Sequence, residues 1–183
     1  MSISYIVLGL LVLVILWLIY IYNRLVTFRF RAKEALSDID VQTKRRYDLI
    51  PNLMESVKGY MQHEREVFEK VTEARAKAIS AGVGEKAGAE DRLSGALKSL
   101  FAVAENYPEL KANQNFLDLQ NELTDTEDKI QAARRFYNAT VKDLNTTIAR
   151  FPANLIAGNF GFTGMEFFGV ESDAERQPVK VKF

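Results

Sequence analysis

Side chains able to perform catalysis or bind metals are scarce in this sequence, and they come closest together around its one histidine. His63 precedes Glu64 and lies three residues from Glu66, and a histidine beside carboxylates can ligate a metal ion or transfer a proton. Either role needs further ligands or a pocket contributed by other segments. A lone histidine is more often a surface residue, so we predict no metal site and no catalytic residue here.

Two further motifs resemble functional ones without their structural context. Asp38-Ile-Asp40-Val41 is similar to the nucleophile motif of haloacid-dehalogenase phosphotransferases, but that motif follows a buried strand, and here it lies within a helical repeat. Residues 82–88 (GVGEKAG) contain glycines and a lysine, but no Ser or Thr follows the lysine as in a phosphate-binding loop. We interpret the aspartates as a solvated helix face and the glycines as a connection.

Composition excludes other classes of function. The 183 residues contain no cysteine, which rules out disulfides, thiolate metal sites and a cysteine nucleophile. The 24 basic and 24 acidic side chains give no net charge, which argues against a nucleic-acid partner. We therefore predict no cofactor and no enzyme activity.

A membrane anchor is predicted over residues 1–22. Residues 3–22 contain no charged side chain, and twenty residues of helix span roughly 30 Å, the thickness of the hydrocarbon core of a bilayer. The alternative, a cleaved signal peptide, lacks a basic region ahead of the apolar run and a small-residue cleavage site after it.

Basic residues follow the anchor directly. They are Arg24, Arg29, Arg31 and Lys33. Because positive residues stay on the cytoplasmic side, we expect a single-pass membrane protein with its N-terminus outside and its body in the cytoplasm. The same side chains are expected to contact anionic lipid headgroups.

The body is predicted to be all-α, as an antiparallel bundle of three or four long helices over residues 23–157. A seven-residue repeat extends from about Arg24 to Ala81, and Pro51 is expected to kink this helix or split it after Ile50. Gly82, Gly84 and Gly88 mark a connection. Further helices are predicted over residues 89–107, 111–150 and 153–157. The apolar columns of the repeat also favour coiled-coil-like packing.

Two charged residues, Arg46 and Glu64, interrupt the apolar columns of the repeat. A buried charge is destabilising unless it is paired, and such pairs can set the register between helices. We expect one or both to form interhelical ion pairs, with Arg134 or Arg135 as the partner of Glu64.

A Phe/Gly-rich tail is predicted over residues 158–183, with a short strand at 179–183. Its candidate binding residues are Phe160, Phe162, Phe167 and Phe168. We expect these side chains to cap the open end of the bundle. The alternative is that they enter a membrane or bind a partner protein.

Several blocks of the sequence together resemble the LemA family of bacterial membrane proteins. They include the segments at 38–40 (DID), 45–51 (RRYDLIP), 133–138 (ARRFYN) and 151–152 (FP). The resemblance implies a single-pass membrane protein with a helical-bundle domain. It implies no activity, because the family has no established biochemical function.

Three classes of function remain. The sequence favours a membrane scaffold that self-associates into a homo-oligomer and organises or shapes the membrane. The alternative is an adaptor that presents or regulates a membrane-protein client. An enzyme is disfavoured, because no residue spacing predicts a pocket with converging polar groups.

Overall fold

The computed structural model describes residues 2–82 and 84–169, and these ranges form helices and connections without a β-strand. The helices are α1 (Ser2–Lys58), α2 (Arg65–Ser80), α3 (Lys86–Ala104), α4 (Pro108–Lys111), α5 (Gln114–Ala149) and α6 (Ala153–Asn159). The all-α prediction is therefore confirmed. The strand predicted at 179–183 lies outside the described residues.

The chain divides into two compact units, and α1 and α5 contribute to both. Among the described residues, unit 1 comprises 2–38 and 133–167, and unit 2 comprises 39–82, 84–132 and 168–169. Each unit has its own apolar core.

Unit 1 combines the first part of α1, the last part of α5, and α6. Its α1 segment begins with apolar side chains that are exposed from Ile3 to Tyr20. The first buried side chains of α1 are those of Ile21 and Leu25. These two side chains pack in a core whose other buried members are Leu144, Ala153, Ile156, Ala157 and Phe162. One face of α1 thus becomes protein core where the uniformly apolar segment ends.

Unit 2 packs the remaining part of α1 against α2, α3, α4 and the first part of α5. The core is built from helix positions three and four residues apart, as expected for amphipathic helices. Its largest fully buried apolar side chains are Ile39, Ile50, Leu53, Met61, Leu93, Leu100, Leu110, Phe116 and Ile130. Helices α1 and α5 are antiparallel here, since Arg45 pairs with Glu122 whereas Tyr60 contacts Asn113.

Of the two alternatives at Pro51, a kink or a split, the structure excludes the split, because α1 continues through Pro51 to Lys58. Ile50 and Leu53, on either side of the proline, are both fully buried. We attribute the continuity to this packing, which offsets the hydrogen bond that proline removes. The interruption falls instead between Lys58 and Arg65, where Gly59 has a low helix propensity.

Two other boundaries differ from the sequence prediction. Gly88 lies inside α3 rather than in the connection. Helix α5 begins at Gln114 instead of near residue 111, because Pro108 starts the separate turn α4. The Asn113 side-chain oxygen then accepts a hydrogen bond from the backbone N–H of Phe116 at 3.2 Å, which caps α5.

The core of unit 2 predicts that truncating a buried and an exposed apolar side chain will change the free energy of unfolding by very different amounts. Leu93→Ala removes a fully buried side chain and is expected to lower the free energy of unfolding by about 2–5 kcal/mol. Ile79→Ala, at an exposed position of the same unit, is expected to change it by less than about 0.5 kcal/mol. Urea denaturation of the full chain in detergent, followed by circular dichroism, measures both. Equal effects would contradict the described core.

Candidate functional site

The sequence motifs that suggested chemistry lie on the protein surface. Asp38, Asp40 and His63 are exposed, and Asp40 forms an ion pair with Lys86. Glu66 pairs with Lys70 on the same helix at 2.7 Å or less, as in many solvent-exposed helix pairs. Within residues 2–82 and 84–169, three or more His, Cys, Asp or Glu side chains do not come together in a group that could hold a metal ion.

A buried charge cluster in unit 2 joins three helices. Arg46 of α1 is fully buried, and its guanidinium donates to the carboxylates of Glu90 on α3 and Glu127 on α5. Ser94 Oγ accepts a hydrogen bond from Arg46 at 2.8 Å and donates one to Glu127 at 2.9 Å. Glu90 is as deeply buried as Arg46, whereas Glu127 is partly exposed. The Arg46 cation compensates the buried Glu90 carboxylate, and the second carboxylate, Glu127, is partly exposed to solvent, so the three charges can be accommodated in the bundle.

Tyr47 extends this cluster towards α2. Its hydroxyl donates to the Glu90 carboxylate and lies 3.2 Å from the backbone carbonyl oxygen of Ala78. Burial, followed by the hydrogen bond to Glu90, raises the pKa of Tyr47 far above its ordinary value of 10.0. The hydrogen bonds of the guanidinium, the hydroxyl and the carboxylates link α1, α2, α3 and α5, although the buried Nε of Arg46 has no hydrogen-bond partner.

Glu64 has a different partner from the one expected. Its carboxylate accepts a hydrogen bond from the Tyr107 hydroxyl at 3.0 Å, where the sequence had suggested Arg134 or Arg135. This hydrogen bond also raises the pKa of Tyr107. Of the two charged residues that interrupt the apolar columns, the structure thus places Arg46 in an interhelical ion pair. A register-setting role for Arg46 and Glu64 stays a prediction.

The basic residues after the anchor are all exposed on α1 of unit 1. They are Arg24, Arg29, Arg31 and Lys33. The Arg24 guanidinium lies 5.3 Å from the centre of the Phe28 ring, and the Lys33 ammonium lies 5.9 Å from that of Phe30. Their side chains are available to phosphates of lipid headgroups, and contact with them stays a prediction.

The four candidate phenylalanines of the tail divide into two pairs. Phe162 and Phe168 are buried, whereas Phe160 and Phe167 are exposed. Phe162 belongs to the core of unit 1. The Tyr22 ring packs edge-to-face against the rings of Phe160 and Phe162. Its centroid lies 5.1 Å from that of Phe160 and 5.7 Å from that of Phe162. Within unit 1, one phenylalanine therefore completes the core and the next one is left on its surface.

The segment after α6 is fixed to α5 by hydrogen bonds that the sequence analysis missed. The Asn145 side chain donates to the carbonyl of Met165 at 2.8 Å and accepts from its N–H at 2.9 Å. The Tyr137 hydroxyl donates to the carbonyl of Glu166 at 2.9 Å. A Cβ at Gly164 would lie 3.1 Å from the Asn145 side-chain oxygen, so glycine suits this close approach. Residues 160–166 are an ordered part of unit 1.

The charge cluster predicts unequal effects for two neighbouring arginines. Arg46→Met leaves Glu90 buried without its cation and is expected to lower the free energy of unfolding by about 3–5 kcal/mol. Arg45→Met breaks an exposed ion pair with Glu122 and is expected to change it by less than about 1 kcal/mol. The double variant Arg46→Met/Glu90→Leu should be more stable than Arg46→Met alone. Denaturant titration of the three variants tests this, and a double variant less stable than the single one would contradict it.

The raised pKa of Tyr47 predicts a loss of stability in alkali. Below the unfolded value of 10.0 the hydroxyl is protonated in both states and its contribution is complete. Above it, the unfolded chain releases the proton while the folded chain retains it, so stability falls as pH rises, by at most about 1.4 kcal/mol per pH unit for one group. Tyr47→Phe should flatten the dependence above pH 10 in unfolding titrations. An unchanged slope would contradict the assignment.

Comparison with known proteins provides the family. The model of the LemA family matches residues 35–183. The chain is 31% identical to Protein LemA of Metamycoplasma hominis over 162 residues, which cover 86% of this chain and 72% of that protein. It is also 25% identical to Magnetosome protein MamQ of Magnetospirillum gryphiswaldense over 174 residues, covering 80% of this chain and 64% of the relative.

A further relative, Magnetosome protein MamQ 2 of Paramagnetospirillum magneticum, shows the same identity and coverage. The chain thus spans slightly less than two thirds of the length of the magnetosome proteins. These relatives and the exposed apolar segment of α1, which is long enough to cross a membrane, support a membrane-associated helical protein. The match over most of the chain confirms the resemblance noted in the sequence: the protein belongs to the LemA family.

Proposed function

We propose that the protein is a non-enzymatic scaffold of the bacterial inner membrane whose helical domain binds further copies of itself and thereby organises the membrane. It crosses the bilayer once through the apolar segment of α1, with its N-terminus outside and the chain after that segment in the cytoplasm. The observation that carries self-association is a pair of exposed aromatic side chains in unit 1 beyond that segment, Phe30 and Phe136.

Phe30 and Phe136 are well placed to bind protein rather than lipid. Phe30 follows the last residue of the apolar segment by eight positions, which is about 12 Å of helix. Phe136 lies on α5 thirteen residues before the end of that helix at Ala149. They are 65% and 54% exposed. Large aromatic side chains commonly dominate the free energy of binding at protein interfaces.

A second copy is the occupant that best fits these positions. Identical single-pass chains share one orientation and one depth in the membrane, so the same surface is presented at the same level by every copy. This restriction reduces the rotational and translational freedom lost on association. Arg29, Arg31 and Lys33 are exposed in the same part of α1, and neutralisation by anionic lipid would limit repulsion between copies.

The test is the mass of full-length protein extracted in native-lipid discs, measured with imaging of the particles. We expect a discrete, symmetric assembly. Phe30→Ser/Phe136→Ser should shift it to monomers, because both aromatic anchors are lost. Ile79→Ser, at an exposed position of unit 2, is the matched control and should leave the assembly intact.

Two results would contradict the scaffold. A monomeric wild-type chain would exclude self-association under these conditions. A monomer that co-purifies with one foreign membrane protein at fixed stoichiometry would favour the adaptor alternative.

A further inference from the structure

We propose that unit 1 has a second membrane contact beside the anchor, formed by the turn and helix at residues 151–160. We call this segment the interfacial corner. Its exposed apolar side chains are Phe151, Leu155 and Phe160. They enter the boundary between lipid headgroups and acyl chains, so that the protein holds the cytoplasmic leaflet through both α1 and this corner.

Packing within unit 1 fixes the level of the corner relative to the anchor. Ile21 is in the last turn of the apolar segment, and its buried side chain packs in one cluster with Ala153, Ile156 and Ala157. The Tyr22 ring contacts Phe160. If residues 3–22 fill the hydrocarbon core, helix α6 therefore lies at the level where that core ends.

The buried and exposed faces of the corner are distinct. Ala153, Ile156 and Ala157 face the core of unit 1. Phe151, Leu155 and Phe160 remain 80%, 59% and 64% exposed. Exposed large apolar side chains close together on a protein usually mark a surface that is covered in the working state.

The distribution of charged residues along the interfacial corner suits contact with lipid. Residues 151–165 contain no charged side chain, and exposed Arg150 directly precedes them. An uncharged segment avoids the high free energy of bringing ions into the acyl region, and an arginine at its edge can reach a headgroup phosphate. The Tyr22 ring contacts Phe160 where the apolar segment ends, and this is the depth that the amphipathic side chain of tyrosine prefers.

Continuity with the anchor favours lipid over a protein as the occupant. The α1 side chains from Ile3 to Tyr20 are exposed up to the position where α6 packs, so the lipid around α1 extends to the edge of the corner. A protein partner would have to displace lipid there. The proposal does not depend on self-association, only on the apolar segment of α1 crossing the bilayer.

Single cysteine variants provide the test, because the chain contains no cysteine of its own. A nitroxide is attached to Leu155→Cys or Phe160→Cys in full-length protein, reconstituted in vesicles of phosphatidylethanolamine and phosphatidylglycerol. Collision rates with oxygen, which concentrates in lipid, and with a water-soluble nickel chelate report the depth of each label. Both positions are exposed, so the fold is expected to tolerate the label.

Two control positions complete the experiment. Ile79→Cys is exposed in unit 2, which we place in the cytoplasm, and it lies outside the proposed interface between copies. Val12→Cys lies in the middle of the apolar segment. We expect oxygen collisions to exceed nickel collisions at 12, 155 and 160, and the reverse at 79. In the Phe30→Ser/Phe136→Ser background, the depths at 155 and 160 should be unchanged.

Three outcomes would overturn the proposal. Labels at 155 and 160 that collide with nickel as often as the label at 79 would place the corner in water. Low collision rates with both reagents at 155 and 160 would indicate cover by protein, either a second copy or a partner. A water-exposed label at 12 would show that the anchor itself does not enter the bilayer, and the corner would lose its basis.

Discussion

The organisation of unit 1 depends on a change in the surroundings of α1 at Ile21. Up to Tyr20 the helix is apolar on every side and exposed, whereas from Ile21 one face is buried in protein. Helices with apolar residues on all sides suit lipid, and helices with one apolar face suit a bundle. A single helix can satisfy both conditions only if its neighbours stop where the lipid begins. The end of α5 and the turn into α6 occur at that level because Leu144 and Ile156 pack in the same core as Ile21 and Leu25.

Unit 2 is organised around a different constraint, the buried guanidinium of Arg46. Three helices contribute to its surroundings, and Tyr47 links the cluster to a fourth through the carbonyl of Ala78. Apolar packing alone tolerates small shifts of one helix along another, because one leucine side chain can take its neighbour's place between the side chains of the facing helix. Hydrogen bonds to a guanidinium have fixed directions and do not allow such shifts. We therefore propose that the cluster favours one register at some expense of stability.

Sequence patterns predicted the helices and most of the core, because both depend on local periodicity. The columns containing Ile50, Leu53, Val57 and Val71 are buried as the seven-residue repeat predicted. The continuation through Pro51 was not predictable from local propensity, since it depends on tertiary packing. Phe160 and Phe162 differ in exposure although their sequence surroundings are alike. This difference in exposure depends on where the segment after α6 packs against α1 and α5, which no local sequence pattern encodes.

The partners of Arg46 illustrate what a fuller sequence argument might have used. Glu90 precedes Leu93 by three residues and Leu97 by seven, so it shares the apolar face of α3. An acid on the buried face of one helix and a base on that of another are natural partners. Glu127 gives a weaker signal, because it is only partly buried. Glu64 shows that a tyrosine hydroxyl can also satisfy a half-buried carboxylate, as Tyr107 does, a kind of partner that the sequence analysis did not consider.

The most direct test of this account is a cysteine scan along α1, from residue 10 to residue 33, in membranes prepared so that only the cytoplasmic face is accessible. A membrane-impermeant maleimide is added and the modified fraction is measured at each position. The account predicts no modification through Tyr20 and rapid modification at the exposed positions from Arg24 onward. Positions 21 and 25, whose side chains are buried in the core of unit 1, should also stay unmodified. Rapid modification within residues 10–20, or uniform protection from 10 to 33, would contradict a change from lipid to protein at Ile21.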